Sequence, residues 1–211
     1  MAKTKPFDEH SEDYEKWFEF NKYAYHSEIR AIGHFIPKKG KGKGIEIGIG
    51  SGLFAQPLGI KDGIEPSPRM RRIAQERGLN VYDGIAEDIP LKNNTFDYAL
   101  IVTTICFVDN IEKSLKEVWR ILKPTGRVII GFVDKNSRIG KIYQENKQFS
   151  TFYKEASFYS SEEVKKYLQN EGFREIEFVQ TLFGELKSIT ETQDFKQGYG
   201  DGSFVVVKAE K

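Results

Sequence analysis

Apolar residues recur along the chain at two different spacings, and each spacing predicts one kind of element. Between Ser11 and Phe35 they recur every three or four residues, which predicts a helical region that a break near Asn21–Ser27 divides into two helices. The same spacing and helix-end signals predict four further helices: Leu53–Leu58, Pro68–Arg77, Ile111–Leu122 and Glu162–Glu171. Short apolar runs bounded by turn residues predict seven strands: Ile45–Ile49, Asp62–Glu65, Leu79–Tyr82, Phe96–Val102, Arg127–Val133, Phe173–Thr181 and Ser203–Ala209.

The order of these elements predicts the fold class. Strands and helices alternate through Val133, as in βαβ units that form a parallel sheet. No helical pattern separates the last two strands, so we expect them to form an antiparallel pair at one edge. The prediction is an α/β fold of three layers, with a seven-stranded, mostly parallel sheet, an antiparallel C-terminal edge strand and helices on both faces.

Three segments interrupt the alternation. The glycine- and lysine-rich tract Pro37–Gly44 is predicted to be a solvated loop, with a phosphate-binding patch as the alternative. Ser137–Tyr159 is polar and aromatic, which indicates an inserted helix and loop. Leu182–Gly202 is too long for a tight turn, so we predict a functional excursion between the last two strands.

Composition narrows the class of protein. The chain has 211 residues, 39% hydrophobic and 30% charged, which suits one domain with a sizeable core. Its 32 Lys and Arg against 31 Asp and Glu give a formal charge of +1, so no overall attraction to nucleic acid or to an anionic membrane is expected. The sequence shows no secretory signal and no apolar run near the roughly 20 residues of a membrane span. We therefore expect a cytoplasmic protein.

Cysteine and histidine usage predicts no metal site. The single cysteine, Cys106, excludes an internal disulfide and a cysteine-based zinc site, and is predicted to be a small packed residue. His10, His26 and His34 lack the spacing of metal ligands, so a surface or packing role is expected for each.

The strongest candidate for chemistry is the glycine-rich turn Gly48–Gly52, directly after the first predicted strand. Open α/β sheets bind ligands at this edge, and glycines let the backbone approach a ligand with positive φ. A dinucleotide fingerprint would need glycine where the chain has Leu53, and no G-K-[ST] sequence closes a phosphate loop. Glu65 follows Glu46 by 19 residues, at the end of the second strand, where a carboxylate can accept both ribose hydroxyls. The pattern indicates an adenosine ligand without a pyrophosphate; a purely structural turn is the alternative.

Five segments in order resemble the motifs of the class I (Rossmann-like) S-adenosylmethionine-dependent methyltransferases, more narrowly the type 11 subgroup that includes quinone-biosynthesis enzymes. These segments are Glu46–Gly52, Gly63–Ser67, Gly84–Pro90, Thr95–Leu100 and Glu117–Arg127. The resemblance runs from about Phe7 to Ala209. It implies a Rossmann-like fold, S-adenosyl-L-methionine as cofactor and S-adenosyl-L-homocysteine as product.

The resemblance also implies a set of cofactor-binding residues: Tyr14, Glu46, Gly48, Gly50, Gly52, Glu65, Pro66, Ala86, Glu87 and Thr103. In these roles the glycine turn follows the methionine and ribose portions, and Glu46 lies beneath the methionine amino group. Glu65 holds the ribose diol, and Thr103 faces the methionine.

One departure concerns the adenine. Ala86 and Glu87 are implied to flank it, with a backbone N–H directed at a ring nitrogen. The family usually has an acid that binds the adenine amino group where this chain has Ile85. That bond is therefore either missing or made by Glu87 or Asp88.

The resemblance further implies an N-terminal helical lid, because related enzymes cover the cofactor with this segment and have a tyrosine near Tyr14; core packing is the alternative. Aromatic residues are expected to line a small apolar or cationic substrate pocket: Tyr14, Trp17, Phe107, Tyr143, Phe152 and Tyr153. We expect a single domain, 1–211, with the lid at 1–40, a cofactor-binding core at 41–134, an inserted cap at 135–160, and a C-terminal helix and antiparallel strand pair at 161–211.

The expected activity is transfer of a methyl group to nitrogen, oxygen or carbon of a small-molecule acceptor by in-line displacement. Such a reaction needs alignment and exclusion of water, so no catalytic residue is assigned. The expected partner is this acceptor, without nucleic acid or membrane, and the oligomeric state is not predicted. The alternatives are a non-catalytic sensor or scaffold that binds the cofactor and, less favoured, a macromolecule methyltransferase. A nicotinamide-dependent oxidoreductase is disfavoured by Leu53.

Overall fold

The computed structural model describes residues 3–38 and 41–211, so Lys39 and Gly40 of the predicted loop Pro37–Gly44 lie outside the described residues. Its centre is a sheet to which the described residues contribute eight strands: β1 Gly44–Ile47, β2 Asp62–Ile64, β3 Asn80–Tyr82, β4 Phe96–Val102, β5 Leu122–Val133, β6 Arg174–Thr181, β7 Lys196–Gln197 and β8 Phe204–Glu210. Their order across the sheet is β3-β2-β1-β4-β5-β8-β6-β7. Neighbouring strands from β3 to β5 are parallel, which confirms the predicted parallel core.

The strand order reverses between β1 and β4. The chain passes from β1 outward to β2 and β3 on one side, then returns to β4 on the other. The loops that follow β1 and β4 therefore diverge and leave a crevice at the carboxyl ends of these strands, which is where open α/β sheets bind ligands.

The C-terminal part of the sheet is antiparallel. β8 runs antiparallel to both of its neighbours, β5 and β6, so the predicted pairing of the last two long strands is confirmed. The final strand, β8, lies between β5 and β6, two positions in from the edge, and the two-residue β7 forms the edge. The described residues thus form eight strands and not the predicted seven. The additional strand, β7, lies within Leu182–Gly202 and is too short to show an alternating pattern in the sequence.

Helices cover both faces of the sheet: α1 Lys5–Glu9, α2 Ser11–Phe20, α3 Lys22–Gly33, α4 Ala55–Leu58, α5 Pro68–Glu76, α6 Ile111–Ile121, α7 Arg138–Glu145 and α8 Ser161–Glu171. Asn21 separates α2 from α3, as predicted. α1 precedes the predicted helical region and is too short to show a periodic pattern. Side chains cap two of these helices: the Ser67 hydroxyl accepts from Met70 N–H, and Ser160 forms a capping box with Glu163.

β5 begins earlier than predicted. The sequence predicts Leu122 as the last residue of a helix and a strand only from Arg127. The strand instead starts at Leu122, because Leu122 pairs with Phe96 across an irregularity in the register with β4. The segment Ser137–Tyr159 contains α7 and two short 3-10 turns, Lys147–Phe149 and Tyr153–Glu155, as its mixed polar and aromatic composition indicates.

Alternate residues of β4 enter two separate cores, which makes the three layers. Ala99 and Ile101 pack on the face covered by α6 and α8. Tyr98, Leu100 and Val102 pack on the opposite face, under α3, α4 and α5. Among residues 3–38 and 41–211, no helix is both long enough and apolar enough to span a bilayer.

Candidate active site

A cavity of about 230 Å³ lies at the crevice between the ends of β1 and β4. Its floor is formed by the loops after β1, β2 and β4, and its cover by α1–α3 together with the segment around α7. Of the ten residues implied to bind the cofactor, eight line this cavity: Tyr14, Gly48, Gly50, Glu65, Pro66, Ala86, Glu87 and Thr103. Glu46 and Gly52 do not form part of its wall.

The turn after β1 needs glycine for steric reasons. Gly48 has φ +71°, and a β-carbon there would lie 2.4 Å from Cγ2 of Thr104, well inside contact distance. Its N–H donates to the carbonyl of Ile64 at 2.8 Å, which ties the turn to β2. Gly50 has φ +56°, and a β-carbon there would lie 3.5 Å from the Tyr14 hydroxyl oxygen. The backbone of the turn therefore faces the cavity directly, with Tyr14 above it.

Glu65 is held in place by backbone donors. Gly50 N–H donates to Oε2 at 2.8 Å and Ser67 N–H to Oε1 at 2.9 Å, and only 7% of the residue is exposed. Burial raises the pKa of Glu65 to about 7, against the opposing effect of these two donors. Each carboxylate oxygen keeps a further lone pair for a ligand hydroxyl, so the geometry suits a vicinal diol.

Glu46 lies behind the glycine turn and not in the cavity wall. It is 1% exposed, and its Oε2 has no hydrogen-bond partner within the part of the chain that the structure describes. Burial raises the pKa of Glu46 well above its usual range, partly opposed by the Ala55 N–H. Gly52 also faces inward: a β-carbon there would lie 2.4 Å from Cδ1 of Leu79, so this glycine lets the turn pack closely against Leu79.

The side implied to hold adenine is tied to the start of α6. Oε1 of Glu87 accepts N–H groups of Asp109 at 2.6 Å and of Asn110 at 3.1 Å. Ile85 and Ala86 line the cavity beside it, whereas Asp88 is exposed and does not. Of the two acids predicted to replace a carboxylate at position 85, only Glu87 is thus placed within reach of the cavity.

Thr103 shows backbone strain at the end of β4. Its φ is +48°, a left-handed conformation that is costly for a β-branched residue, and its N–H donates to the carbonyl of Gly131 at 2.8 Å. The next residue, Thr104, packs its side chain on Gly48. Sequence patterns gave no signal for Thr104, because its role depends on two strands that meet in space.

The first two helices are fastened over the cavity by polar contacts. Glu15 on α2 pairs with Arg77 and accepts from the Ser51 hydroxyl, while Arg77 also donates to the Ser51 carbonyl at 2.6 Å. Asp8 on α1 accepts from the Ser67 hydroxyl at 2.6 Å. These contacts join the helices to the same loops that hold Glu65.

Aromatic rings form a large part of the cavity wall. All six residues predicted to line a substrate pocket do line it: Tyr14, Trp17, Phe107, Tyr143, Phe152 and Tyr153. Phe107 stacks on Tyr153 with 5.9 Å between ring centroids, and Tyr153 stacks on Tyr143 at 5.0 Å. Phe7 of α1 packs edge-on to Phe107 at 5.2 Å and extends this wall to the N-terminal helices.

The structure adds a charged residue that sequence reasoning missed. Glu28 of α3 lines the cavity and is 4% exposed. A signal existed, because Glu28 lies four residues after Ala24 and three before Ala31, which places it on the buried face of its helix.

Neither cysteine nor histidine forms a reactive centre among the described residues. No group of three or more histidine, cysteine, aspartate or glutamate side chains there could hold a metal ion. The thiol of Cys106 donates to the Thr103 carbonyl at 3.0 Å, and burial raises its pKa to about 12, which agrees with a packed residue.

Comparison with known proteins identifies the family. A family model described as a methyltransferase domain matches residues 45–130. The crystal structure of a SAM-dependent methyltransferase from Thermotoga maritima, described as a possible histamine N-methyltransferase, is 47% identical, with a TM-score of 0.95 and 99% of each chain covered. The chain belongs to the S-adenosylmethionine-dependent methyltransferases.

Two further proteins are similar in sequence to this methyltransferase. An uncharacterised protein of Methanocaldococcus jannaschii, MJ1123, is 44% identical over 97% of this chain and 98% of that protein. The ubiquinone/menaquinone biosynthesis C-methyltransferase of Rickettsia bellii is 32% identical over 44% of this chain and 45% of that enzyme. The predicted resemblance to the quinone-biosynthesis group is thereby confirmed at the level of the family.

The cofactor of the family is S-adenosylmethionine, and the cavity fits it. The positive-φ backbone at Gly48 and Gly50 leaves room for a ligand against the main chain. The Glu65 carboxylate has the geometry to accept a vicinal diol, and Oε2 of Glu46, which no described residue contacts through a hydrogen bond, lies behind the turn.

Proposed function

We propose that the methyltransferase moves the methyl group of S-adenosylmethionine to nitrogen, oxygen or carbon of a small-molecule acceptor. One observation carries this proposal: Glu65, which is proposed to bind the ribose, lines the same cavity as the aromatic rings around Tyr143 and Tyr153. We call the part of the cavity bounded by these rings the aromatic chamber. Cofactor and acceptor would then lie in one enclosed space. The Thermotoga relative, whose description names a small amine as substrate, also supports a small acceptor.

The roles of the chain's own residues follow from their positions. Glu65 accepts the ribose hydroxyls, and the backbone of Gly48–Gly50 supports the methionine portion. Ala86 and the remaining oxygen of Glu87 border the adenine. Tyr14 closes the cavity above Gly50; burial raises the pKa of Tyr14 above its usual value, so its hydroxyl stays protonated and can donate.

The chemistry needs little from the protein beyond these contacts. The bound cofactor supplies an activated methyl group on a sulfonium. The aromatic cover would exclude water, and the cavity walls would align the acceptor with the methyl group, so the protein contributes through positioning and a low dielectric. No residue outside the cavity is required for this step.

A non-catalytic sensor or scaffold is the second candidate, favoured by Ile85 at the position of the usual adenine-binding acid. Such a protein would bind the cofactor and its product without turnover. A macromolecular acceptor is less favoured, because the aromatic chamber is enclosed by α1–α3 and α7.

Calorimetry and labelled turnover test the proposal together. We expect S-adenosylmethionine and S-adenosylhomocysteine to bind and NAD not to bind. With cofactor labelled in the methyl group, incubation with a metabolite extract should give a labelled small-molecule product. Tight NAD binding would overturn the cofactor assignment, and cofactor binding without any labelled product would favour the sensor.

A further inference from the structure

Glu28 is an ionisable group that the cofactor roles leave unused. It enters the cavity from α3, on the side of the aromatic chamber, and it is 4% exposed. The residues assigned to the ribose and adenine lie on the loops after β2 and β3. Glu28 therefore belongs to the space left for the acceptor.

The Glu28 carboxylate lacks a compensating partner. Throughout residues 3–38 and 41–211, no side chain or backbone N–H donates a hydrogen bond to it, and no lysine, arginine or histidine forms an ion pair with it. An unpaired buried charge is costly. Burial accordingly raises the pKa of Glu28 to about 8. A cation inside the cavity would remove that cost.

The surroundings of Glu28 also favour a cation. Tyr14, Tyr143 and Tyr153 line the same cavity as Glu28. Burial is the main cause that raises the pKa of each of these tyrosines, and the negative charge of Glu28 adds to it. The faces of aromatic rings attract ammonium groups. One carboxylate within an aromatic chamber is a common arrangement for the recognition of an amine.

The charges along the rest of the cavity wall point the same way. Its described lining includes five acidic residues: Asp13, Glu28, Glu65, Glu87 and Asp109. The basic residue among the described lining is Lys3, whose ammonium lies 3.8 Å from the Asp109 carboxylate, at the end of the cavity where Glu87 lies. No other described basic side chain lines the cavity, so the described lining offers little competition with a ligand cation for Glu28.

We propose that Glu28 and the rings of Tyr14, Tyr143 and Tyr153 bind the ammonium group of the methyl acceptor, so that the substrate is a small primary or secondary amine with an apolar body. This inference rests on the proposed function and names its substrate class. An acidic or phosphorylated acceptor is disfavoured, because it would offer no positive charge to the buried carboxyl of Glu28.

Glu28 then has a role in the transfer itself. Its carboxylate takes one proton from the bound ammonium, which frees the nitrogen lone pair. The nitrogen attacks the methyl carbon: the C–N bond forms, the C–S bond breaks, and the electron pair of that bond stays on sulfur. The products are S-adenosylhomocysteine and a methylated ammonium, and Glu28 returns its proton to solvent as they leave.

Matched amines and alcohols test the assignment on the unmodified protein. The probes are benzylamine, phenethylamine and butylamine, each against the corresponding alcohol, titrated by calorimetry into protein saturated with S-adenosylhomocysteine. We expect at least one amine to bind about ten-fold or more tightly than its alcohol, as for a charge-assisted hydrogen bond. Equal binding within every pair would overturn the inference.

Variants assign the preference to Glu28. Glu28→Gln keeps the shape and removes the charge, so we expect amine and alcohol to bind alike while S-adenosylhomocysteine binds as before. Glu19→Gln removes an exposed charge from α2 and should leave the amine preference intact. An amine preference that survives in Glu28→Gln would contradict the assignment.

The two proposals fail in different ways. If the unmodified protein does not bind S-adenosylmethionine, the proposed function fails and the inference fails with it. If it binds the cofactor and methylates only neutral oxygen or carbon acceptors, the proposed function stands and the amine site is wrong.

Discussion

At the scale of single residues, the glycines of the turn after β1 meet different neighbours. Gly48 lies against Thr104 and Gly52 against Leu79, while Gly50 lies below the Tyr14 ring. All three have positive φ, so any other residue would be strained there. Only at Gly48 and Gly50 does the backbone also border the cavity. Substitutions at different glycines can therefore separate the effect of backbone strain from the effect of blocking the cavity.

Gly48→Ala should lower cofactor affinity and stability together. The new methyl group would lie 2.4 Å from Thr104, so the turn must shift, and we expect about a ten-fold or greater loss of S-adenosylhomocysteine affinity by calorimetry. Gly59→Ala is the matched control, because Gly59 has φ +74° with no heavy atom within 4 Å of the new methyl group. It should cost about 1–2 kcal/mol in denaturant unfolding. Its cofactor affinity should not change.

Glu65→Gln should weaken the cofactor through the ribose. The amide loses the charge that accepts hydroxyl hydrogens, and its NH₂ group would face the N–H of Gly50 or Ser67. We expect a loss of about ten- to a hundred-fold in S-adenosylhomocysteine affinity. Glu76→Gln, an exposed change at the end of α5, serves as the control. Equal affinity in Glu65→Gln and the unmodified protein would exclude the ribose role.

Glu65 and Glu28 show what sequence reasoning can reach. Glu65 follows a strand and a recognisable motif, so its position at the ligand edge could be predicted from the local pattern. Glu28 lies within a helix whose aromatic stripe suggests core packing, and a charged residue in such a stripe is usually solvated. Its spacing from Ala24 and Ala31 indicates the buried face of α3, but only the assembled fold shows that this face borders a cavity at Glu28.

At the scale of elements, side-chain hydrogen bonds and an ion pair attach the first two helices to the loops of the sheet. α1 and α2 contribute no strand pairing, and their polar fastenings reach the loops after β1 and β2. These loops are also the ones that hold Glu65. Loosening α1 or α2 should therefore also loosen the loops that position Glu65.

Arg77→Gln should loosen α2. The substitution removes the ion pair with Glu15 and the bond to the Ser51 carbonyl, so we expect faster amide hydrogen exchange across α2 and weaker binding of S-adenosylhomocysteine. Arg72→Gln is the matched control, since Arg72 pairs with Glu76 on the exposed face of α5. Its exchange should match that of the unmodified protein. Identical exchange in both variants would show that the fastening is not needed.

Long elements were predictable and short ones were not. β4 and α6 appear at almost the predicted bounds, because each presents several turns or alternations of pattern. β7 has two residues, and its pairing with β6 is decided by distant parts of the chain. The early start of β5 at Leu122 likewise depends on Phe96, which no local window contains.

At the scale of the whole molecule, buried carboxylates should make stability depend on pH. Burial raises the pKa of Glu65 to about 7 and of Glu28 to about 8, above the usual value of 4.5. The folded state then binds more protons than the unfolded state. The stability from these groups is fully present below about pH 4.5 and is lost as the pH rises toward 8.

Denaturant unfolding across this range checks the pH dependence. We expect the contribution of Glu65 and Glu28 to the free energy of unfolding to fall between pH 5 and 8. A difference of one pKa unit between the folded and unfolded states corresponds to about 1.4 kcal/mol. Glu28→Gln should flatten the upper part of this fall, and Glu19→Gln should follow the unmodified protein. A Glu28→Gln curve parallel to that of the unmodified protein would show that Glu28 does not titrate in this way.

The global topology was predictable in its parallel half. Alternating strands and helices restrict the order of β1 to β5 to few arrangements, and right-handed crossovers then set the ligand edge. The position of β8 between β5 and β6 was not predictable, because either end of the pair could join the sheet by pattern alone.

The protected state of Cys106 has a practical consequence for spectroscopy. Since this thiol is buried with a pKa near 12, it should resist alkylation under conditions that label an exposed cysteine. A spin label could then be placed at Phe20→Cys, whose native side chain is 84% exposed at the end of α2, and a second at Glu76→Cys, without removing Cys106. The distance distribution between them, with and without S-adenosylhomocysteine, would report whether the N-terminal helices move when the ligand binds.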